Sequence, residues 1–75
     1  MIGSMMAFAL PSGEMVVGRV VGEAEVLPDG TYRWADYVWE SGDFPDLGAD
    51  ERWFVLDRNE PGGPELVPLS ELAEV

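Results

Sequence analysis

Asp43, Asp46, Asp50 and Glu51 crowd four carboxylates into one short stretch. Carboxylates that dense offer two kinds of chemistry: chelation of a hard cation such as Ca²⁺, or general acid and base work across a bound substrate. The spacing fits neither. A calcium loop needs alternating oxygen ligands around a central Gly and a late Glu, and that pattern is absent here. An acid and base pair needs a cleft that encloses substrate, which a chain of 75 residues can scarcely build around its one core. The sequence has no His, Cys or Lys, so imidazole bases, thiolate nucleophiles and Schiff bases are excluded. Gly62-Gly63 stands between prolines and opens no helix, so it is not a nucleotide-binding fingerprint. The expectation is a solvated acidic loop in a non-enzymatic protein, with no metal and no cofactor.

Fifteen Asp and Glu stand against four Arg, for a net charge of −11. Such a surface repels nucleic acid, whose binding rests on Lys and Arg contacts that release counterions. It suits a basic protein partner instead, because complementary fields speed encounter and reject wrong partners. Glu14, Glu23, Glu25, Asp36 and Glu40 extend the acidic set beyond the loop. Trp39, Phe44 and Trp53 flank that loop, and aromatic residues are the usual anchors of an interface. The expected partner-binding residues are therefore Asp43, Asp46, Asp50, Glu51, Trp39, Phe44 and Trp53.

High charge also accompanies disorder, but 47% hydrophobic content with three Trp, three Phe and two Tyr gives the chain enough apolar material to fold. Its length makes residues 1–75 one domain, and a domain of this size buries only roughly 60% of its unfolded surface. Without Cys the usual supplement is association, so a homo-oligomer, dimer or ring, is expected. No stretch reaches the roughly 18 apolar residues that span a bilayer, and the apolar start lacks a basic flank, so no membrane contact and a cytoplasmic location are expected. Residues 1–4 read as a ragged leader before Met5.

The apolar residues fall in short alternating runs. Met5 to Leu10 is a first strand, ended by Pro11-Ser12-Gly13. Glu14 to Leu27 is a long second one, with Val16, Gly18, Val20, Gly22, Ala24 and Val26 facing inward and its glycines allowing a sharp bend. Met15, Val17 and Val21 lie on its opposite side. They form either a second core face or an exposed apolar patch for a partner or another copy.

Pro28-Asp29-Gly30 predicts a hairpin turn into a third strand, Thr31 to Glu40, with aromatics on both faces. Arg52 to Asp57 is the fourth and Leu66 to Leu69 the fifth, with one helical turn capped by Ser70 at the end. Five short strands at these spacings point to an all-β fold, a small antiparallel barrel or sandwich, and the expectation is a strongly bent five-stranded barrel.

The run Leu10-Pro11-Ser12-Gly13-Glu14-Met15-Val16-Val17-Gly18-Arg19-Val20 resembles the first motif of Sm-like proteins, in which a hairpin turn ending in Gly leads to apolar residues around a bending Gly. Leu27-Pro28-Asp29-Gly30 and Trp34-Ala35-Asp36 stand roughly where that family has its next hairpin. The likeness covers Leu10 to Glu40 and extends to Src-homology-3-type barrels in general. It implies a bent five-stranded barrel with exposed edges suited to a ring or dimer. The family's second motif, which grips RNA with Arg-Gly, is replaced by Arg58-Asn59-Glu60, so RNA binding is not implied.

The expected function is that of an acidic protein-interaction module, one form being a phage-encoded inhibitor that occupies a basic nucleic-acid-binding surface by charge mimicry. Two readings stay open beside it. One is an Sm-like oligomeric scaffold; the other is a binder of a small anionic ligand such as a nucleotide, between subunits, through Arg19, Arg33, Arg52 or Arg58.

Overall fold

Alternating exposed and buried residues make β1 (Met5–Ala9) and β2 (Met15–Glu23) an antiparallel hairpin, with Met5 opposite Arg19 and Ala9 opposite Met15. The computed structural model describes residues 1–10, 12–40, 42, 50–59 and 63–75. Gly13, at φ 90°, donates its N–H to the Leu10 carbonyl and closes the turn, whose Pro11 lies outside the described residues. Gly3 and Ser4 are tied to the second strand. The Gly3 N–H donates to the Val20 carbonyl (2.7 Å), the Val20 N–H donates to the Ser4 carbonyl (2.9 Å), and the Arg19 guanidinium reaches the Gly3 carbonyl at 2.8 Å.

The second strand bends as its glycines imply. A register shift between Val20 and Gly22 leaves Val21 as an extra residue, and beyond Ala24 the chain enters the short β3 (Glu25–Val26). One edge of this strand changes partner along the way: β1 pairs up to Arg19, and β4 (Tyr32–Trp34) pairs from Glu25 onward. Val16 and Val20 face the first cluster as expected, but past the register shift Gly22 and Ala24 lie on the opposite face, against Trp34 and the Trp53–Val55 cluster, and Val26 is exposed in the other sheet. Pro28-Asp29-Gly30 forms the expected hairpin turn: the Asp29 carboxylate accepts from the Thr31 N–H and hydroxyl, at 3.0 and 2.7 Å.

The segment expected as one strand from Thr31 to Glu40 is instead a second hairpin. It reverses at Ala35-Asp36 between β4 and β5 (Tyr37–Trp39), pairing Trp34 with Tyr37 and Tyr32 with Trp39. Reversal changes the faces. All four aromatics now share one side, rather than being divided between two as a single extended strand would have them. Trp34, Tyr37 and Trp39 form a ladder with ring centroids 6.2 and 6.1 Å apart.

The five-stranded sheet runs β7-β6-β2-β1-β8, where β6 is Trp53–Asp57, β7 is Glu65–Pro68 and β8 is Ala73–Glu74. The second sheet, β3-β4-β5, is three-stranded, and all pairings in both are antiparallel. The fold is thus all-β, but the ladder of the five-stranded sheet is not closed into a barrel. One 3-10 turn, Leu69–Glu71, carries the chain from the β7 edge to the β8 edge. Where Ser70 was expected to cap a helical turn, its backbone N–H is itself held by the Glu51 carboxylate at 3.0 Å, and the chain returns to a strand at Ala73.

Two apolar clusters form on opposite faces of β6. Phe54 and Leu56 join Met6, Phe8, Val20 and Val67 inside the rolled sheet, with Leu69 and Leu72 packed against them. Trp53 and Val55 point the other way, to Ala24 and Leu66, under the aromatic face of the three-stranded sheet. The run Trp-Phe-Val-Leu is therefore buried throughout, as a strand covered on both sides must be.

Two substitutions test this packing. A Cβ at Gly22 would overlap the Trp34 indole, whose Cδ1 and Cε2 would lie 2.8 and 2.9 Å away. Gly22→Ala should destabilise the domain by about 2–3 kcal/mol in urea titrations, because the overpacked indole has to move. Ala35 holds a φ of 52°, which favours Gly, so Ala35→Gly should stabilise by about 1 kcal/mol in the same assay.

Candidate functional site

Of the residues expected to bind a partner, Asp43, Phe44 and Asp46 lie outside the described residues. Asp50 is exposed just before β6. Glu51 is half-buried, and its carboxylate has the internal task of holding Ser70. Trp39 is half-buried, stacked on Tyr37 at an interplanar angle of 25°. Trp53 does not reach the surface: only 3% of it is exposed, with its ring 5.1 Å from that of Tyr32. Trp39 packs against the second core cluster, of which Trp53 is a buried member. Trp53 follows the acidic loop in sequence, yet strand alternation turns its ring beneath the second sheet.

The electrostatic surface is built by subtraction. Arg52 makes a bidentate pair with Glu23, at 2.9 and 2.8 Å, and lies 5.2 Å from the centroid of the Phe54 ring. Arg33 pairs with Glu25 at 3.3 Å, across the β3–β4 ladder, and Arg58 lies 3.6 Å from Glu65. Arg19 is bonded to the Gly3 carbonyl. Every arginine is thus engaged within the chain. Glu14, Asp36, Glu40, Asp50, Glu71 and Glu74 remain exposed and have no arginine partner among the described residues. Among the described residues no group of three such side chains converges to hold a metal ion, and no helix is long and apolar enough to cross a membrane.

A different surface stands out from this acidic coat. The outer side of β1 and β2 exposes Met5, Met15 and Val17, by 43%, 60% and 46%, with Ala7, Ala9 and Ala73 between and beside them. Val21, expected to join this patch, is half-buried against the second cluster instead, because Tyr32, Trp34 and Trp39 of the second sheet cover that end of β2. On β6 and β7 the same sheet face is covered by the aromatic strands. Over β1 and the first half of β2 it is open. Alternation along β2 identifies Met15 and Val17 in the sequence, but Met5 needed the register with Arg19 to place it beside them.

Hydrogen bonds from Arg52 hold the Glu23 carboxyl below its ordinary value of 4.5; desolvation opposes them, and the Arg52 charge adds a smaller downward push. A folded value below the unfolded one means stabilisation that is fully present above the ordinary carboxylate range and vanishes as pH falls through the folded value. Exposure keeps the effect small. Wild type should therefore exceed Glu23→Gln in urea midpoint at neutral pH, and the gap should close toward about pH 3. A gap that widens on acidification would contradict the assignment.

Comparison of the chain with protein families, with curated proteins and with solved structures gives no match.

Proposed function

We propose that this chain is a non-enzymatic, acidic interaction module whose partner is a basic protein surface. The observation that carries the reading is the internal engagement of all four arginines, which leaves the carboxylate excess of a −11 chain facing solvent. Like charge spread over one small body raises the encounter rate with a cationic site and disfavours bare nucleic acid. In its sharpest form the module is an inhibitor, of the kind phages encode, that presents carboxylates where a nucleic-acid-binding protein expects phosphates. The same engagement weakens the case for a small anionic ligand, because no arginine is left without a partner to receive one.

The finer fold belongs to this proposal as well. We infer that the rolled sheet is a barrel of the Src-homology-3 or Sm-like type. The strand order β8-β1-β2-β6-β7, with a 3-10 turn between the last two strands in sequence, supports it. On that reading β3, β4 and β5 are an insertion that adds a second apolar cluster.

The test is competition. A basic nucleic-acid-binding protein captured with the chain from its own cells should lose duplex DNA as the chain is added. The affinity should fall at least tenfold between about 0.05 and 0.5 M salt, over which screening lengths shrink from roughly 14 to 4 Å. Charge reversal at Asp43, Asp46 and Asp50 should slow association. Binding that is indifferent to salt and to these reversals would refute mimicry.

A further inference from the structure

The turn Leu27-Pro28-Asp29-Gly30-Thr31 contains the one Asp-Gly step of the sequence. An Asp followed by Gly is prone to spontaneous isomerisation, because no side chain keeps the carboxyl away from the glycine nitrogen. The Gly30 nitrogen attacks the Asp29 Cγ; a Cγ–N bond forms, one carboxyl oxygen leaves as water, and a succinimide ring results. Water then adds at the former backbone carbonyl and breaks its bond to nitrogen, so the chain continues through Cγ. Mass is unchanged, and the backbone is one methylene longer.

Both reacting groups are engaged elsewhere in the fold. The Asp29 Oδ1 accepts from the Thr31 hydroxyl at 2.7 Å and from the Thr31 N–H at 3.0 Å, while the Gly30 N–H donates to the Leu27 carbonyl at 3.0 Å. The Leu27 N–H in turn donates to the Thr31 carbonyl at 2.9 Å and closes the turn. These bonds aim the carboxylate past Gly30 to the next residue and keep the glycine nitrogen turned toward Leu27. The Thr31 hydroxyl, and then its N–H, also hold the Asp29 carboxyl below its ordinary value, with desolvation opposing them. The ionised form so favoured is the poorer electrophile. Asp29 is exposed, so water can reach the ring once it forms.

We propose that Asp29-Gly30 is a site of spontaneous isomerisation that the folded turn keeps latent, with Thr31 as its latch. Isomerisation damages the second sheet. A longer backbone between β3 and β4 spoils the register of a two-rung ladder, Glu25 opposite Arg33 and Val26 opposite Tyr32. The Arg33–Glu25 ion pair and the seat of the Tyr32 ring against Trp53 depend on that register.

The whole chain, aged at neutral pH and mapped by fragmentation that distinguishes aspartate from isoaspartate, tests this. Folded wild type should form isoaspartate at residue 29 at least about tenfold more slowly than the same chain in urea, because reaction requires local opening. Thr31→Val, which loses the hydroxyl, should age severalfold faster, whereas Thr31→Ser, which keeps it, should stay near wild type. Val67→Ala weakens the other cluster and leaves the turn intact, so it should age like wild type; circular dichroism confirms that each variant is folded. The isomerised fraction, separated by chromatography, should melt below the unmodified chain. No isoaspartate at residue 29 in urea overturns the site. Folded wild type that ages as fast as the unfolded chain, Thr31→Val that ages like wild type, or Val67→Ala that ages as fast as Thr31→Val overturns the latch. An isomerised fraction that melts like the unmodified chain overturns the dependence of the second sheet on this turn.

Discussion

Burial of one strand on both of its faces is the constraint on which the rest of this small protein depends. β6 sends Phe54 and Leu56 into the rolled sheet and Trp53 and Val55 beneath the aromatic sheet. Each buried side chain of this size contributes about 1.5–3 kcal/mol from removal of apolar surface. A domain with no disulfide gains little elsewhere. Since both clusters share β6, neither sheet is secured without the other, and one cooperative unit results from two small cores. The bulge at Val21 and the absent side chain at Gly22 serve the same end, because they bring the Trp34 indole down against the bend.

Much of this was legible in the sequence. Alternation from Met5 and from Met15 located β1, β2 and the inward face, and Gly13 and Gly30 marked turns that the backbone uses at φ near 90°. The hairpin at Ala35-Asp36 was not legible. Turns of two residues announce themselves through Gly or Asn, and Ala35 holds its left-handed φ without such a signature, supported by cross-strand aromatic pairs on either side. An aromatic run that contains its own reversal therefore reads as one strand. Trp53 reads as a partner-binding residue because it follows the acidic loop in sequence. Nothing local in Arg52-Trp53-Phe54 says that a second sheet will cover its ring. Leu72 and Ala73 were hidden for a similar reason, since strand pairing with β1 overrides a weak helical tendency there.

The two surfaces of the molecule have different physical logic. Charge on the acidic coat is felt at a distance and is screened by salt, whereas apolar side chains such as those open on β1 and β2 are felt only in contact. Pairing each arginine within the chain keeps those two behaviours apart, because no loose cation gathers the carboxylates of a neighbouring copy at random. Arg19 is the instructive case, tied to the Gly3 carbonyl and standing where coat and face meet.

The ladder between β1 and β8 joins Ala7 to Ala73, so its hydrogen bonds knit together segments far apart in sequence. Such a contact carries a loop-closure cost, since the chain entropy of gathering distant segments has to be met first. Until β8 arrives, the outer edge of β1 has no ladder partner and Leu72 has nothing to seal. A nascent chain with a folded hairpin but no tail would expose a sticky strand, and the acidic residues scattered along it would keep such intermediates apart.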